Sequence, residues 1–423
     1  MQIIVYRTVE IATAKMQFFG SLYTLQTNSK TSNRMSNGSG KVLYLDGIRG
    51  LAALCVFFHH FGLAFYPAYY THIAADTHLN GLELTYGESI FRFLTCGSFC
   101  VHIFFILSGY VLSRKYFREN DLNIIISSAQ KRYLRLFIPV GTTLLLSYVL
   151  LQAGAYHNLP VSKITHSGPW LGDFWNFGNR TAVFLKSFLY QTMFLGNNAY
   201  DTTLWTMSIE LYGSMLVFAV MALTHNTRNK ALSFLIIALS LVFISKTLYT
   251  CFILGISFNY LENREPISSK PLKILVSTLL MIIGCILGSY SMHDNTNSIF
   301  AHFPPILLAA KNTYHIIGGY FVILAVLLSP RLQAFFSTSP LRFLGYISFS
   351  LYLLHCLIIG SLSCFLFLKL YGPMSYNMAV ATVFAITAAA VMGLSYLMAR
   401  YVDMKGVQFA GYCYKRYFSK KAE

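Results

Sequence analysis

From residue 43 to residue 400 the chain alternates between long apolar runs and short polar or basic interruptions. Runs long enough to cross a bilayer, at about 20 residues each, fall near 43–66, 97–113, 134–154, 203–223, 231–246, 247–261, 273–290, 306–328, 343–368 and 377–400. They are continuous and do not alternate every second residue. Backbone inside a membrane must satisfy its own hydrogen bonds, so continuous runs predict helices, whereas a barrel would show alternating segments of about ten residues. The fold class is therefore all-α and polytopic, with about ten spans. Several are short, and 231–261 reads as one hairpin of thin helices. A further run at 184–197 reads as re-entrant or interfacial. No internal repeat is visible, which weighs against the paired broken helices of many transporters.

Composition supports this reading. With 55% hydrophobic and 11% charged residues and a mean hydropathy of +0.54, the chain falls well short of the roughly 25% charge of soluble proteins. The net charge of +17 does not indicate nucleic acid, which needs a basic face on a soluble domain. Here Lys and Arg cluster between apolar runs, at Arg114–Arg135, Arg228/Lys230, Arg264/Lys270/Lys273, Arg331/Arg342 and Lys405–Lys421. Ten spans place every cluster on one side of the membrane. The positive-inside rule then predicts a cell (inner or plasma) membrane protein with both termini in the cytoplasm. Residues 1–42 read as a disordered polar lead without a signal peptide, 43–402 as the membrane domain, and 403–423 as a basic cytoplasmic tail. The eight cysteines show no CxxC pair and no His/Cys spacing, so they read as core residues and no metal is expected. Asn179-Arg180-Thr181 is a glycosylation sequon from which nothing is inferred.

Ionisable residues inside spans cost at least about 2.5–3.5 kcal/mol each, so they mark function by default. The first run holds Asp46, Arg49, His59 and His60. At 100° per residue, Arg49 and His60 lie about 20° from eclipsed, Asp46 falls within roughly 60° of the same stripe, and His59 points away. Arg49 and His60 are about 16 Å apart along the axis, which predicts Arg49 near the cytoplasmic mouth and His60 near mid-membrane. Gly47, Gly50, Ala52 and Ala53 on the same helix allow close approach of another group. The plain alternative is a snorkelling Asp46–Arg49 pair beside a packing histidine. Arg132 and Arg135 form an i, i+3 pair suited either to phosphates or to anchoring. Glu210 is buried in an apolar helix, where an unpaired carboxylate is costly. His355 lies in a late span, where packing and function are equally good readings.

LDGIRGLAALCVFFHH, FFILSGYVLSRKYF, KRYLRLFIP, LWTMSIELYG and GYISFSLYLLH, in that order, resemble the acyltransferase-3 family of integral membrane O-acyltransferases. The resemblance runs from about Tyr44 to Asp403. Arg49 and His60 match the family's Arg-x10-His hallmark, Arg132 and Arg135 its RxxR element, and Ser108, Gly109 and Tyr110 its S-G-F/Y element. Trp205, Ser208 and Glu210 match Trp-x-x-Ser-x-Glu. The usual terminal acidic-Pro element is degraded, since Met404 follows Asp403, and no role attaches to it. Within the resemblance the chain looks like the stand-alone form without an SGNH esterase-like domain, or one that relies on a separate partner.

The resemblance implies acetyl-CoA or another acyl-CoA as co-substrate, no bound cofactor, and a saccharide or glycolipid acceptor beside the lipid bilayer. Donor phosphates would meet Arg132, Arg135 and Ser108–Tyr110. His60 would act as general base or transient acyl carrier. Asp46 or Glu210 would orient its ring, with Arg49 in the catalytic set and Trp205, Ser208 and His355 as further candidates. Two rivals stand beside this reading: a transporter or flippase of a glycan precursor that uses the same His and Arg as a relay, and a non-catalytic membrane scaffold.

Overall fold

The computed structural model describes residues 42–178, 181–262, 269–291, 299–302 and 310–418. The expected lead before Val42, and Asn179 and Arg180 of the sequon, lie outside them. Among the described residues the only β pairing is an isolated bridge between Tyr371 and Met374, so the protein is all-α.

The long helices are α1 (Leu43–Phe65), α2 (Gly97–Glu119), α3 (Leu122–Gln152), α4 (Trp205–Leu223), α5 (Lys230–Phe243), α6 (Thr247–Glu262) and α7 (Lys270–Gly288). After them come α8 (Ala310–Leu328), the short α9 (Pro330–Phe336), α10 (Ser339–Ile358), α11 (Tyr376–Met398) and α12 (Met404–Tyr417). As far as they fall within the described residues, the ten apolar runs lie mainly on helices. Among the described residues, however, seven helical stretches are long and apolar enough to cross a membrane alone, or eight if the pair α8–α9, bent by 104°, is one span. The count of about ten is therefore not reached. It treated every apolar run as a crossing, yet α5 has 14 residues and α6 has 16. At 1.5 Å per residue these reach about 21 and 24 Å, against a hydrocarbon core of about 30 Å. The two do form the expected hairpin of thin helices, turning through Ser245 with φ 58°. The run at 184–197 is a six-residue helix, Thr181–Lys186, running into a nine-residue π-helical stretch, Ser187–Leu195, too short to span.

Glycines set the closest helix crossings. A Cβ on Gly50 would lie 2.4 Å from the Gly345 nitrogen, and one on Gly345 would lie 2.3 Å from the Asp46 carbonyl oxygen. Only glycine lets α1 and α10 touch here, and this pair packs more extensively than any other in the bundle. Gly109 on α2 and Gly255 on α6 make a second such crossing, against the Phe252 and Ile106 carbonyls.

At the end of the chain the expected tail is structured. A π-helical turn, Ala399–Asp403, links α11 to α12, and α12 packs along α3. Gly406 lies against Ile138, and Lys131 sits over the Tyr414 ring at 5.1 Å.

Candidate functional site

Two polar clusters lie along α1. The first gathers around Glu210 on α4. Arg132 on α3 pairs with Glu210 Oε1, and its Nε donates to Ser214 Oγ at 2.7 Å. From α2, the Ser108 hydroxyl donates to the same carboxylate oxygen at 2.6 Å. Arg49 Nη1 lies 3.3 Å from Asp46 Oδ1, one turn back on α1. Arg49, Arg135 and Asp403 stand within electrostatic range of the Arg132–Glu210 pair or of one another. Three guanidinium groups thus face three carboxylates.

This geometry divides the expected donor-binding residues. Residues at i and i+3 project about 60° apart on a helix, so Arg132 turns inward and is 7% exposed, while Arg135 reaches the surface. Arg135 lies within electrostatic range of Lys131, which lies within range of Lys115. In the sequence both lysines count only toward the basic cluster Arg114–Arg135. Ser108 joins the cluster. Gly109 is instead consumed by the α2–α6 crossing, and Tyr110 is fully buried, its carbonyl accepting from Asn259 Nδ2 at 2.7 Å. Trp205 is 39% exposed, and the Ser208 hydroxyl donates to the Trp205 carbonyl at 3.2 Å, so the structure brings neither into this cluster. Asp403, set aside in the sequence for want of a following proline, is brought in by the π-helical turn that carries it.

The second cluster centres on His60. Its Nδ1 is 2.7 Å from Nε2 of His355, and His355 Nδ1 is 2.9 Å from the Leu351 carbonyl oxygen. Trp170 stacks on the His60 ring at 5.2 Å and 10°. It comes from the five-residue π-helical turn Gly168–Gly172, too short for an apolar period to flag it, so no sequence signal marks it. Behind His355, the Tyr352 hydroxyl is 3.0 Å from Thr206 Oγ1. Thr206 lies one turn before Glu210 on α4, so the same helix borders both clusters. His59 points elsewhere as expected, with Nδ1 2.9 Å from the Thr95 carbonyl oxygen and 2.8 Å from the Tyr69 hydroxyl.

Two expectations change here. The side chain that His60 meets is His355, whereas Asp46 or Glu210 was expected beside it. Asp46 shares the His60 stripe but lies fourteen residues away, about 21 Å along the axis, and Glu210 is taken by Arg132 and Ser108. His60 is also not central in its helix. It is five residues from the end of α1 at Phe65, about 8 Å along the axis.

Asp201, just before α4, is fully buried. Its Oδ1 accepts from the Thr203 backbone N–H at 2.9 Å and the Thr203 hydroxyl at 3.0 Å, while Oδ2 has no partner. Burial pushes its carboxyl up to about 7, against the pull of the Thr203 bonds.

Among the described residues one group could hold a metal ion: His60, His355 and Cys356 bring their donor atoms within 4.8 Å of one another. Zinc–nitrogen bonds of about 2.0–2.1 Å would hold tetrahedral ligands about 3.3 Å apart. The 2.7 Å between the two nitrogens is instead the length of a shared hydrogen. As arranged, the pair holds a proton and would have to open to take a metal.

Residues 42–400 match the family model described as an acyltransferase domain, Acyl_transf_3. The chain is 24% identical to O-acetyltransferase PaAT-1 of Phomopsis amygdali, over 97% of this chain and 95% of the relative. It is 22% identical to acyltransferase clz18 of Cochliobolus lunatus, over 77% of this chain and 84% of that relative. No solved structure matches.

Proposed function

Since the chain belongs to the acyltransferase-3 family, we propose that this membrane acyltransferase moves an acyl group, acetyl first among candidates, from acyl-CoA to an acceptor hydroxyl. The observation that carries the reading is convergence. Arg49 and His60 come from one block, and Ser108, Arg132, Glu210 and His355 from four others far apart in sequence, yet all lie in two bonded clusters along one helix. The printed name of one relative, O-acetyltransferase, supports acetyl.

Arg135 and Lys115 at the surface, with half-buried Lys131 between them, suit the donor's phosphates, and the positive-inside rule favours the cytoplasm for that end. The pantetheine arm then runs the roughly 16 Å from Arg49 to His60. There His60 takes the proton of the acceptor hydroxyl as its oxygen attacks the thioester carbonyl. The carbon–sulfur bond breaks, and the departing CoA thiolate takes the proton back from His60, leaving an ester and a free thiol. A saccharide or glycolipid is the acceptor class that the resemblance favours.

The test is mass spectrometry of glycans and small hydroxylated products from source cells with the gene deleted and then restored as native chain or as His60→Ala. The expected result is one acyl mass lost on deletion, regained with the native chain and not with His60→Ala. Product acylated by His60→Ala at the native level, with the variant present in the membrane, would overturn the role of His60, and deletion without the loss of any acyl mass would overturn the acyl-transfer reading. Substrate movement without consumption of acyl-CoA would point to transport instead.

A further inference from the structure

We propose that His355 is a positioning residue that fixes His60 as its Nδ1–H tautomer, so that Nε2 of His60 is the atom that performs the chemistry. This rests on the acyl-transfer reading above. A carbonyl oxygen only accepts hydrogen bonds, so His355 Nδ1, 2.9 Å from the Leu351 carbonyl, carries hydrogen. In a neutral imidazole the other nitrogen is then a bare acceptor. That nitrogen lies 2.7 Å from His60 Nδ1, so His60 must be the donor of this bond. Its own Nε2 keeps a free lone pair. The assignment follows from one backbone carbonyl and two distances.

The surroundings hold the ring in this state. Trp170 covers one side of His60 at 5.2 Å, and the His355 ring centroid is 5.0 Å away with the planes 25° apart. The backbone sets the register of the pair. His60 follows Gly50 by ten residues and His355 follows Gly345 by ten, and these two glycines are where α1 and α10 touch. Two helices in contact at the glycines and running the same way therefore meet again at the histidines, about 15 Å further on.

A carboxylate orients the histidine in a serine-protease triad. An imidazole can do so without placing a permanent charge among apolar helices, where it would be costly. It can also share the load. As His60 Nε2 receives the acceptor's proton, the Nδ1 proton can pass to His355 Nε2, which spreads one positive charge over two rings. Both protons return when the thiolate leaves and is protonated.

The test uses the full chain in lipid nanodiscs, radiolabelled acetyl-CoA, and a membrane extract of source cells lacking the gene as the acceptor pool. His355→Ala should lower kcat by about 10- to 150-fold, the span of a lost hydrogen bond to a group that becomes charged, with the KM for acetyl-CoA unchanged. His355→Gln, whose side-chain oxygen can accept from His60, should recover part of the loss. The sharper variant adds His60→Nδ1-methylhistidine to His355→Ala. The methyl group occupies the vacated space and locks the lone pair on Nε2 without His355, so kcat should rise above that of His355→Ala alone. The melting temperature of each variant shows that it is folded. A methylated double variant no faster than His355→Ala, or a folded His355→Ala with native kcat, overturns the positioning role. Native labelling by a folded His60→Ala would instead remove His60 from the chemistry, and an absence of labelling by the native chain would bring down the acyl-transfer reading beneath it.

Discussion

The two clusters along α1 solve the problem of polarity among apolar helices in opposite ways. Around Glu210 the groups are charged and cancel: Arg132 is held by a carboxylate and a hydroxyl, and Arg49 stands against Asp46. Around His60 the groups are neutral and pass hydrogens along a chain that ends on a backbone carbonyl. A balanced ionic cluster fixes geometry and is expensive to disturb. A neutral imidazole chain can gain and lose a proton with little rearrangement. The first therefore suits a scaffold beside the donor's entrance, and the second suits the reacting centre.

The largest test of this contrast is Glu210→Ala. It strands a buried Arg132, and breaking one side of a buried pair costs about 3–5 kcal/mol. The expected outcome is a steep fall in melting temperature in nanodiscs and poor accumulation in the membrane. Removing both charges with Arg132→Met and Glu210→Met should restore much of that stability. A double variant as unstable as Glu210→Ala would show that the pair does more than balance charge. His60→Ala, by contrast, should leave the melting temperature nearly unchanged while activity is lost.

Asp201 blurs the division, because it is a buried carboxylate with no cation and one bare oxygen. Its carboxyl titrates near 7 in the fold and near 3.9 in an unfolded chain. Between those values the folded state holds a proton that the unfolded state has released. Stability should therefore fall as pH rises from about 4 to about 7 and level off above that. Melting temperatures at pH 5 and pH 8 check this, and the difference should shrink in Asp201→Asn. An unchanged difference in that variant would move the effect to another group.

What the sequence revealed and what it hid divide along the same line. Arg49 and Glu210 are visible because each is a charge in an apolar run, Arg132 because it pairs with Arg135 at i, i+3, and helical spacing puts Arg49 and His60 on one stripe. The partner of His60 was hidden, since 295 positions separate it from His355 and no local period reports which helices touch. One clue was present: the ten-residue step from glycine to histidine occurs in both blocks. It has meaning only once the two glycines are known to meet. Trp170 lies in a π-helical turn of five residues, too short to show periodicity, and the count of about ten is not reached among the described residues because hydropathy does not say whether an apolar helix reaches across. Gly345→Ala tests the register directly. Its Cβ would lie 2.3 Å from the Asp46 carbonyl oxygen, and overpacking of this kind costs about 1–3 kcal/mol. The variant should lose both stability and kcat, because α10 must move away and carries His355 with it. Full kcat in a destabilised Gly345→Ala would separate the crossing from the histidine pair.

The smallest expected effect divides the two arginines of the RxxR element. Both match the family's spacing, but Arg132 is committed to Glu210, whereas Arg135 reaches the surface near Lys131 and Lys115. Arg135→Ala should therefore leave folding and kcat nearly intact and raise the KM for acyl-CoA about tenfold, equivalent to about 1.4 kcal/mol of lost phosphate attraction. The rise should be smaller at high salt, because exposed charges are screened over a Debye length of about 3 Å at 1 M. Arg132→Ala should behave differently, lowering stability first and showing little dependence on salt. If both variants raised KM equally and kept the native melting temperature, the inward arginine would be a phosphate ligand after all. The ionic cluster would then belong to the donor site and not to the scaffold that holds it.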